Sequence, residues 1–167
     1  MILVAASFII IALYVGAMIF KLGIPYSISD TYYSLEHKFW FGFTMCATAL
    51  LLMPAILERT PDNLQFLAFL MCAALCFVGV SPNFKKGLDS PVHITSTTIC
   101  AVCSQLWVGL VFTTWMYLIW LIWLAYVIIM IKRLWNGHLI NSFIYTKPLF
   151  WGEITAFLTV YIGLILK

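Results

Sequence analysis

The chain has 167 residues, 64% of them hydrophobic and only 9% charged, with a mean hydropathy of +1.05. Soluble domains carry about a quarter charged residues, so this composition excludes a soluble globular fold and leaves one polytopic membrane domain without room for a soluble module. The net charge of +3 comes from basic residues scattered through short polar segments, which excludes a nucleic-acid-binding surface.

About 20 apolar residues are needed for a helix to cross a hydrocarbon core of ~30 Å. On that measure the chain contains six spans, over residues 2–22, 39–57, 64–80, 92–112, 115–135 and 148–166. The first has no basic leader and carries its charge, Lys21, at its far end, so it is expected to stay as an anchor. Pro54 is expected to kink the second span, and Pro82 to help end the third. From Val92 to Trp135 the chain is apolar for about 44 residues, too long for one helix. A break at Phe112-Thr113-Thr114-Trp115 divides this stretch into the fourth and fifth spans. The expected fold is therefore all-α, a bundle of six transmembrane helices in a single domain.

Six spans put the odd-numbered loops on one side. Those loops hold Lys21, Lys38, Lys85, Lys86, Lys132, Arg133 and Lys147, whereas the termini and even loops hold only Arg59 and Lys167. Basic residues concentrate in cytoplasmic loops, so the expected orientation in the plasma (inner) membrane has odd loops inside and both termini outside.

The polar residues share this asymmetry. Loop one carries Ser27, Ser29, Asp30, Glu36 and His37; loop three carries Asn83, Asp89 and Ser90, followed by His93. Loop five carries Asn136, His138 and Asn141, and the sixth span brings Glu153 into the membrane. All three histidines and four of the six carboxylates thus lie on one side, against Glu58 and Asp62 beside Arg59 on the other. An ionisable group inside a span is costly and needs a partner or a water-filled cavity, and for Glu153 the candidate partners are His93, His138 and Lys147. His93, Ser96, Thr97 and Ser104 recur at helical spacing, a polar stripe expected to face the bundle interior. The plainer reading is an interfacial His93 capped by Asp89, with hydroxyls bonding back to their own helix. Asp89-Ser90-Pro91 also reads as a helix start. The candidate site is Asp30, His93 and Glu153 in a chemical role, with Ser27, Ser29, His37, Asp89, Ser96, Thr97 and His138 in binding roles.

Cys46, Cys72, Cys76, Cys100 and Cys103 fall within spans two to four and read as packing residues. Cys100 and Cys103 have metal-knuckle spacing but no second pair outside the membrane. Trp115, Tyr117, Trp120, Trp123 and Tyr126 crowd the fifth span, and with Trp40, Trp135 and Trp151 they read as packing and interfacial belt. The sequence shows no internal three-plus-three repeat, phosphate loop or nucleophile elbow.

The segment Ile24-Pro25-Tyr26-Ser27-Ile28-Ser29-Asp30-Thr31 resembles the Pro-Tyr-Ile-Ser-Asp-Thr stretch after the first span in the Frag1/DRAM/Sfk1 group of six-span proteins. Val92-His93 matches a Val-His pair at the opening of that group's fourth span. This chain departs by an extra Ser before Ile-Ser-Asp and by Tyr32 where the group usually has Gly. The resemblance implies lipid-related work on membrane lipids, lipid-anchored proteins or trafficking adaptors. It also implies a loop one facing away from the cytoplasm, opposite to the charge count. A more distant likeness is to membrane hydrolases that hold zinc with three His, an Asp and a Ser at one leaflet. Ser29, Asp30, His37, Asp89, His93 and His138 supply those residue types, and Zn²⁺ so held would activate a bound water.

Three functional expectations follow. The first is a pocket at one leaflet that binds or modifies a lipid head group. The second is a non-enzymatic protein that binds a membrane protein partner or forms a homo-oligomer. The third is a small proton-coupled transporter with Glu153, His93 and Asp89 as its relay.

Overall fold

In a computed structural model, residues 1–85, 89–135 and 137–166 are described, and all regular elements among them are helical. Lys86, Asn136 and Lys167, which entered the charge and polarity counts, lie outside the described residues. The helices are α1 (Ile2–Leu22), α2 (Phe39–Glu58), α3 (Gln65–Val80), α4 (Asp89–Trp107), α5 (Leu118–Arg133), the short α6 (Leu139–Tyr145) and α7 (Pro148–Leu166). A 3₁₀ turn at Asp62–Leu64 leads into α3, and a π-helical turn at Val108–Phe112 extends α4. With those extensions, and a 3₁₀ turn at Thr114–Tyr117 that leads into α5, six helices are long and apolar enough to cross a membrane.

The long apolar run divides at Thr113. Its backbone is fully extended, and its hydroxyl accepts the Trp115 amide at 3.4 Å, opening the 3₁₀ turn Thr114–Tyr117 that leads into α5. A hydroxyl in this position satisfies a helix-start amide that lipid cannot. Pro54 lies inside α2, which continues through it to Glu58.

Helices α1 to α4 pack in chain order, and α7 closes the bundle against α1, α4 and α5. Helices α2 and α3 approach closely at a pair of glycines. A Cβ on Gly42 would lie 2.9 Å from the Gly79 carbonyl oxygen, and one on Gly79 would lie 2.9 Å from Met45 Cβ. Lipid tails are as apolar as leucine, so helices in lipid gain most from this close backbone approach. At the α1–α7 contact the Ser7 and Tyr161 hydroxyls meet at 2.7 Å, and Phe8 stands edge-on to Tyr161. Trp107, wholly buried, donates its indole N–H to Thr60 at 2.7 Å, tying the end of α4 to the end of α2. Helix α5 is the least enclosed, with Val127 its one buried residue.

Loop one, loop three and the start of α7 meet on one face of the bundle. The Phe150 amide of α7 donates to the Tyr26 carbonyl of loop one at 3.0 Å. The Tyr33 hydroxyl donates to Asn83 of loop three and accepts the Lys85 amide at 2.8 Å. Lys85 in turn pairs with Asp30 at 2.7 Å and lies over the Tyr33 ring. Asp30 and Tyr33 of loop one and Asn83 and Lys85 of loop three are therefore neighbours in space.

Candidate functional site

Beneath loop one lies a cavity of about 380 Å³, within the range of small-ligand pockets. Along α2 it is walled by Met45, Ala49, Leu52 and Ile56, residues three or four apart and so on one helix face. From Met45 to Ile56 this stripe rises about 16 Å, roughly half the ~30 Å hydrocarbon thickness and so the depth of one leaflet. Helix α3 adds Met71, Cys72, Leu75 and Val78, and α7 adds Gly152, Glu153, Ala156, Phe157 and Val160. The walls are small or aliphatic almost throughout. Alanine, glycine and cysteine leave room between α2, α4 and α7 that larger side chains would fill.

Among the described lining residues, polar side chains that bond to other elements stand at two places. At the loop-one end stand Glu153 and Ser29. Glu153 Oε2 accepts the Ile28 amide at 2.5 Å, while the Ile28 carbonyl accepts the Thr31 hydroxyl at 2.6 Å. Thr31 is buried and meets the Tyr14 hydroxyl of α1 at 2.6 Å, and the Ser27 hydroxyl accepts the Asp30 amide at 3.0 Å. A Ser-x-x-Asp turn followed by Thr thus folds loop one into the 3₁₀ helix Ser29–Ser34, which caps the cavity. Among the described residues this amide is the hydrogen-bond partner of Glu153, in place of the expected histidine or lysine side chains.

The second place is deeper. Gln105 on α4 accepts the Trp120 indole N–H from α5 at 2.9 Å and donates to the Thr159 hydroxyl of α7 at 3.1 Å. One amide therefore joins three helices across the cavity wall. Above it Trp123 donates to the Pro148 carbonyl at 3.1 Å, and Tyr117 donates to the Gln105 carbonyl at 2.8 Å where α4 passes into its π-helical turn. Gly109 makes the Tyr117 contact possible, because a Cβ there would lie 2.1 Å from the hydroxyl. Gln105, Trp120 and Trp123 were not among the sequence-based candidates. A glutamine in an apolar span was the available signal, and indole N–H groups in α5 were the other.

His93 is buried but does not line the cavity. Its Nδ1 lies 2.9 Å from the Ser81 carbonyl, and its ring stacks on Phe84 at 4.9 Å, so it fastens α4 to the end of α3. Its ring partner is Ser81 and not Asp89, which opens α4 in an exposed position. Ser96 and Ser104 are buried, and Thr97 and Ser104 line the cavity or its edge while bonding the His93 and Ala101 carbonyls of their own helix. The polar stripe thus faces inward and also spends its hydroxyl hydrogens locally. His37 and His138 are exposed; the His138 carbonyl accepts the Ser142 amide at the start of α6. Of the three residues given a chemical role, Glu153 and Asp30 meet through loop one, and His93 joins them only through loop three.

Among the described residues no group of three His, Cys, Asp or Glu side chains is placed to hold a metal ion. Ser29, Asp30, His37, Asp89, His93 and His138 are dispersed over loop one, the start of α4 and the start of α6. No protein-family model matches the chain, and no curated protein or solved structure matches it.

Proposed function

We propose that the chain is an integral membrane protein that binds a membrane lipid, holding an apolar chain in the cavity and the polar end beside Glu153 and Ser29. The observation that carries this reading is the cavity itself: about 380 Å³, mostly apolar, with Glu153, the one carboxylate among its described lining residues, at the loop-one end. A water-filled permeation path would need free polar groups along its walls, and here, beyond the mouth and the Gln105 junction, the described polar lining groups are Thr97 and Ser104, which donate to their own helix. The loop-one resemblance to a lipid-related group of six-span proteins points the same way. We place the loop-one face in the cytoplasm and the termini outside, in the plasma (inner) membrane. Lys21, Lys38, Lys85, Lys132, Arg133 and Lys147 belong to that face, and Arg59 belongs to the other.

Native mass spectrometry of the purified protein, released gently from detergent, tests this directly. Wild type is expected to retain one lipid, and Ala156→Phe, which fills the cavity from α7, is expected to lose it. Leu121→Phe on the outer face of α5 controls for annular lipid. A lipid retained equally by all three would refute cavity binding.

A further inference from the structure

Resting on the lipid-binding reading, we infer that the ligand carries a cationic amine at the Glu153 end of the cavity, as a long-chain amine does. The first premise is that the apolar chain contributes little to selection. Bilayer and cavity are equally apolar, so moving a hydrocarbon chain from one to the other gains little of the hydrophobic free energy that drives burial from water. Discrimination therefore falls to the polar end.

The second premise is the chemistry of that end. Among the described residues Glu153 is the one ionisable oxygen-acid side chain lining the cavity, and no Lys, Arg or His lines it. Oε2 is taken by the Ile28 amide, and Oε1 has no hydrogen-bond donor among the described residues. The Thr97 and Ser104 hydroxyls donate to their own helix and the Gln105 amide is held by Trp120 and Thr159, so the polar side chain left beside Glu153 at this end is Ser29, which brings a neutral hydroxyl and no charge. A carboxyl group on an apolar wall carries its charge at low cost only when a cation stands beside it. A ligand ammonium supplies charge and hydrogen-bond donors together. A fatty acid or phosphate monoester would instead bring a second anion against Glu153, with no cation on the wall to offset it.

The test uses the whole protein in nanodiscs of zwitterionic lipid, photolabelled with diazirine-bearing hexadecylamine and hexadecanol. Labelled residues are located by peptide mass spectrometry, and labelling is competed with unmodified hexadecylamine, hexadecanol or palmitate. Label is expected on Leu52, Cys72 and Phe157. Hexadecylamine should compete about tenfold more effectively than palmitate, the advantage of one charge-assisted hydrogen bond. Glu153→Gln should remove that advantage while leaving competition by hexadecanol within about twofold, since the amide keeps an oxygen for the Ile28 N–H. Cavity labelling with palmitate as effective as the amine, or an amine preference unchanged in Glu153→Gln, would overturn the amine assignment and leave lipid binding standing. Label confined to lipid-facing residues with both probes would overturn both.

Discussion

Replacing Glu153 separates the two things its carboxylate does. Ile28 is buried, with a relative exposure of 3%, and its amide has Glu153 Oε2 as acceptor at 2.5 Å. Glu153→Ala removes the acceptor and strands a buried N–H, for which the penalty is about 1–3 kcal/mol. Glu153→Gln keeps an oxygen in place and loses only the charge-assisted part of the bond, about 1 kcal/mol. Alanine should therefore destabilise the fold by about 2 kcal/mol and glutamine by about half that. Reversible unfolding in mixed micelles, followed by circular dichroism, measures both. Thr31→Val provides a second handle, because it removes the hydroxyl that grips the other side of the same residue at the Ile28 carbonyl. The double variant should show a coupling of at least about 0.5 kcal/mol, as expected for groups acting on one segment. Equal losses for alanine and glutamine, together with simple additivity to Thr31→Val, would refute the view that Glu153 anchors loop one through Ile28.

Gln105→Leu breaks side-chain bonds to Trp120 and Thr159 while keeping an apolar wall. At about 0.6 kcal/mol per interhelical bond in a membrane, the same unfolding assay should show a loss of about 1–2 kcal/mol. Gly79→Ala drives a methyl against Met45 Cβ and the Gly42 carbonyl, so it should cost about 1–3 kcal/mol, whereas Gly16→Ala, with open space around it, should cost nothing measurable. His93→Phe keeps the stack on Phe84 and loses the Ser81 bond, about 1 kcal/mol. His93→Ala loses both and should cost about 2 kcal/mol, and equal losses would remove the stack from the account. His37→Cys in a cysteine-free background should react with an impermeant maleimide only from the cytoplasmic side. Labelling from outside would reverse the charge-based orientation in favour of the one implied by the loop-one resemblance.

The helices were legible because lipid imposes a length and a composition on them. The division at Thr113 was legible for a related reason, since a hydroxyl-bearing pair at the middle of 44 largely apolar residues offers a local means of satisfying freed amides. The inward stripe of His93, Ser96 and Ser104 followed from spacing alone. The partner of Glu153 did not, because a backbone amide is present in every loop residue and nothing in the sequence marks Ile28 as the donor. The cavity was hidden for a different reason. It is bounded by small residues on helices far apart in the chain, and Ala49, Cys72, Cys100 and Ala156 look like packing residues until α4 and α7 are seen to stand apart around them. The tryptophans of α5 read as an interfacial belt, yet Trp120 and Trp123 turn their N–H groups inward to Gln105 and Pro148.

Loop one is held from two sides, and the magnitudes decide which side governs it. On the outer side Asp30 pairs with Lys85, but Lys85 is 52% exposed and Asp30 31%. An exposed pair of this kind contributes less than about 1 kcal/mol and is screened by salt. The cation–π contact of Lys85 with Tyr33, at 4.2 Å, adds a similar small amount at an exposed site. On the inner side the Ile28 amide meets Glu153 and the Thr31 hydroxyl meets the Ile28 carbonyl, both away from bulk water. A buried N–H that loses its acceptor costs about 1–3 kcal/mol, and no salt screens that penalty. The cavity side therefore sets the position of loop one, and loop three follows through Asp30, Lys85, Tyr33 and Phe84. It follows that Lys85→Ala should leave loop one in place at any ionic strength, whereas Glu153→Ala should expose Ser27 and Ser29 to solvent. Cysteine accessibility at position 27, buried in the native fold, distinguishes the two. Should Lys85→Ala expose it as fully as Glu153→Ala, the order of strengths argued from burial would be wrong, and the polar surface, not the cavity, would hold the cap.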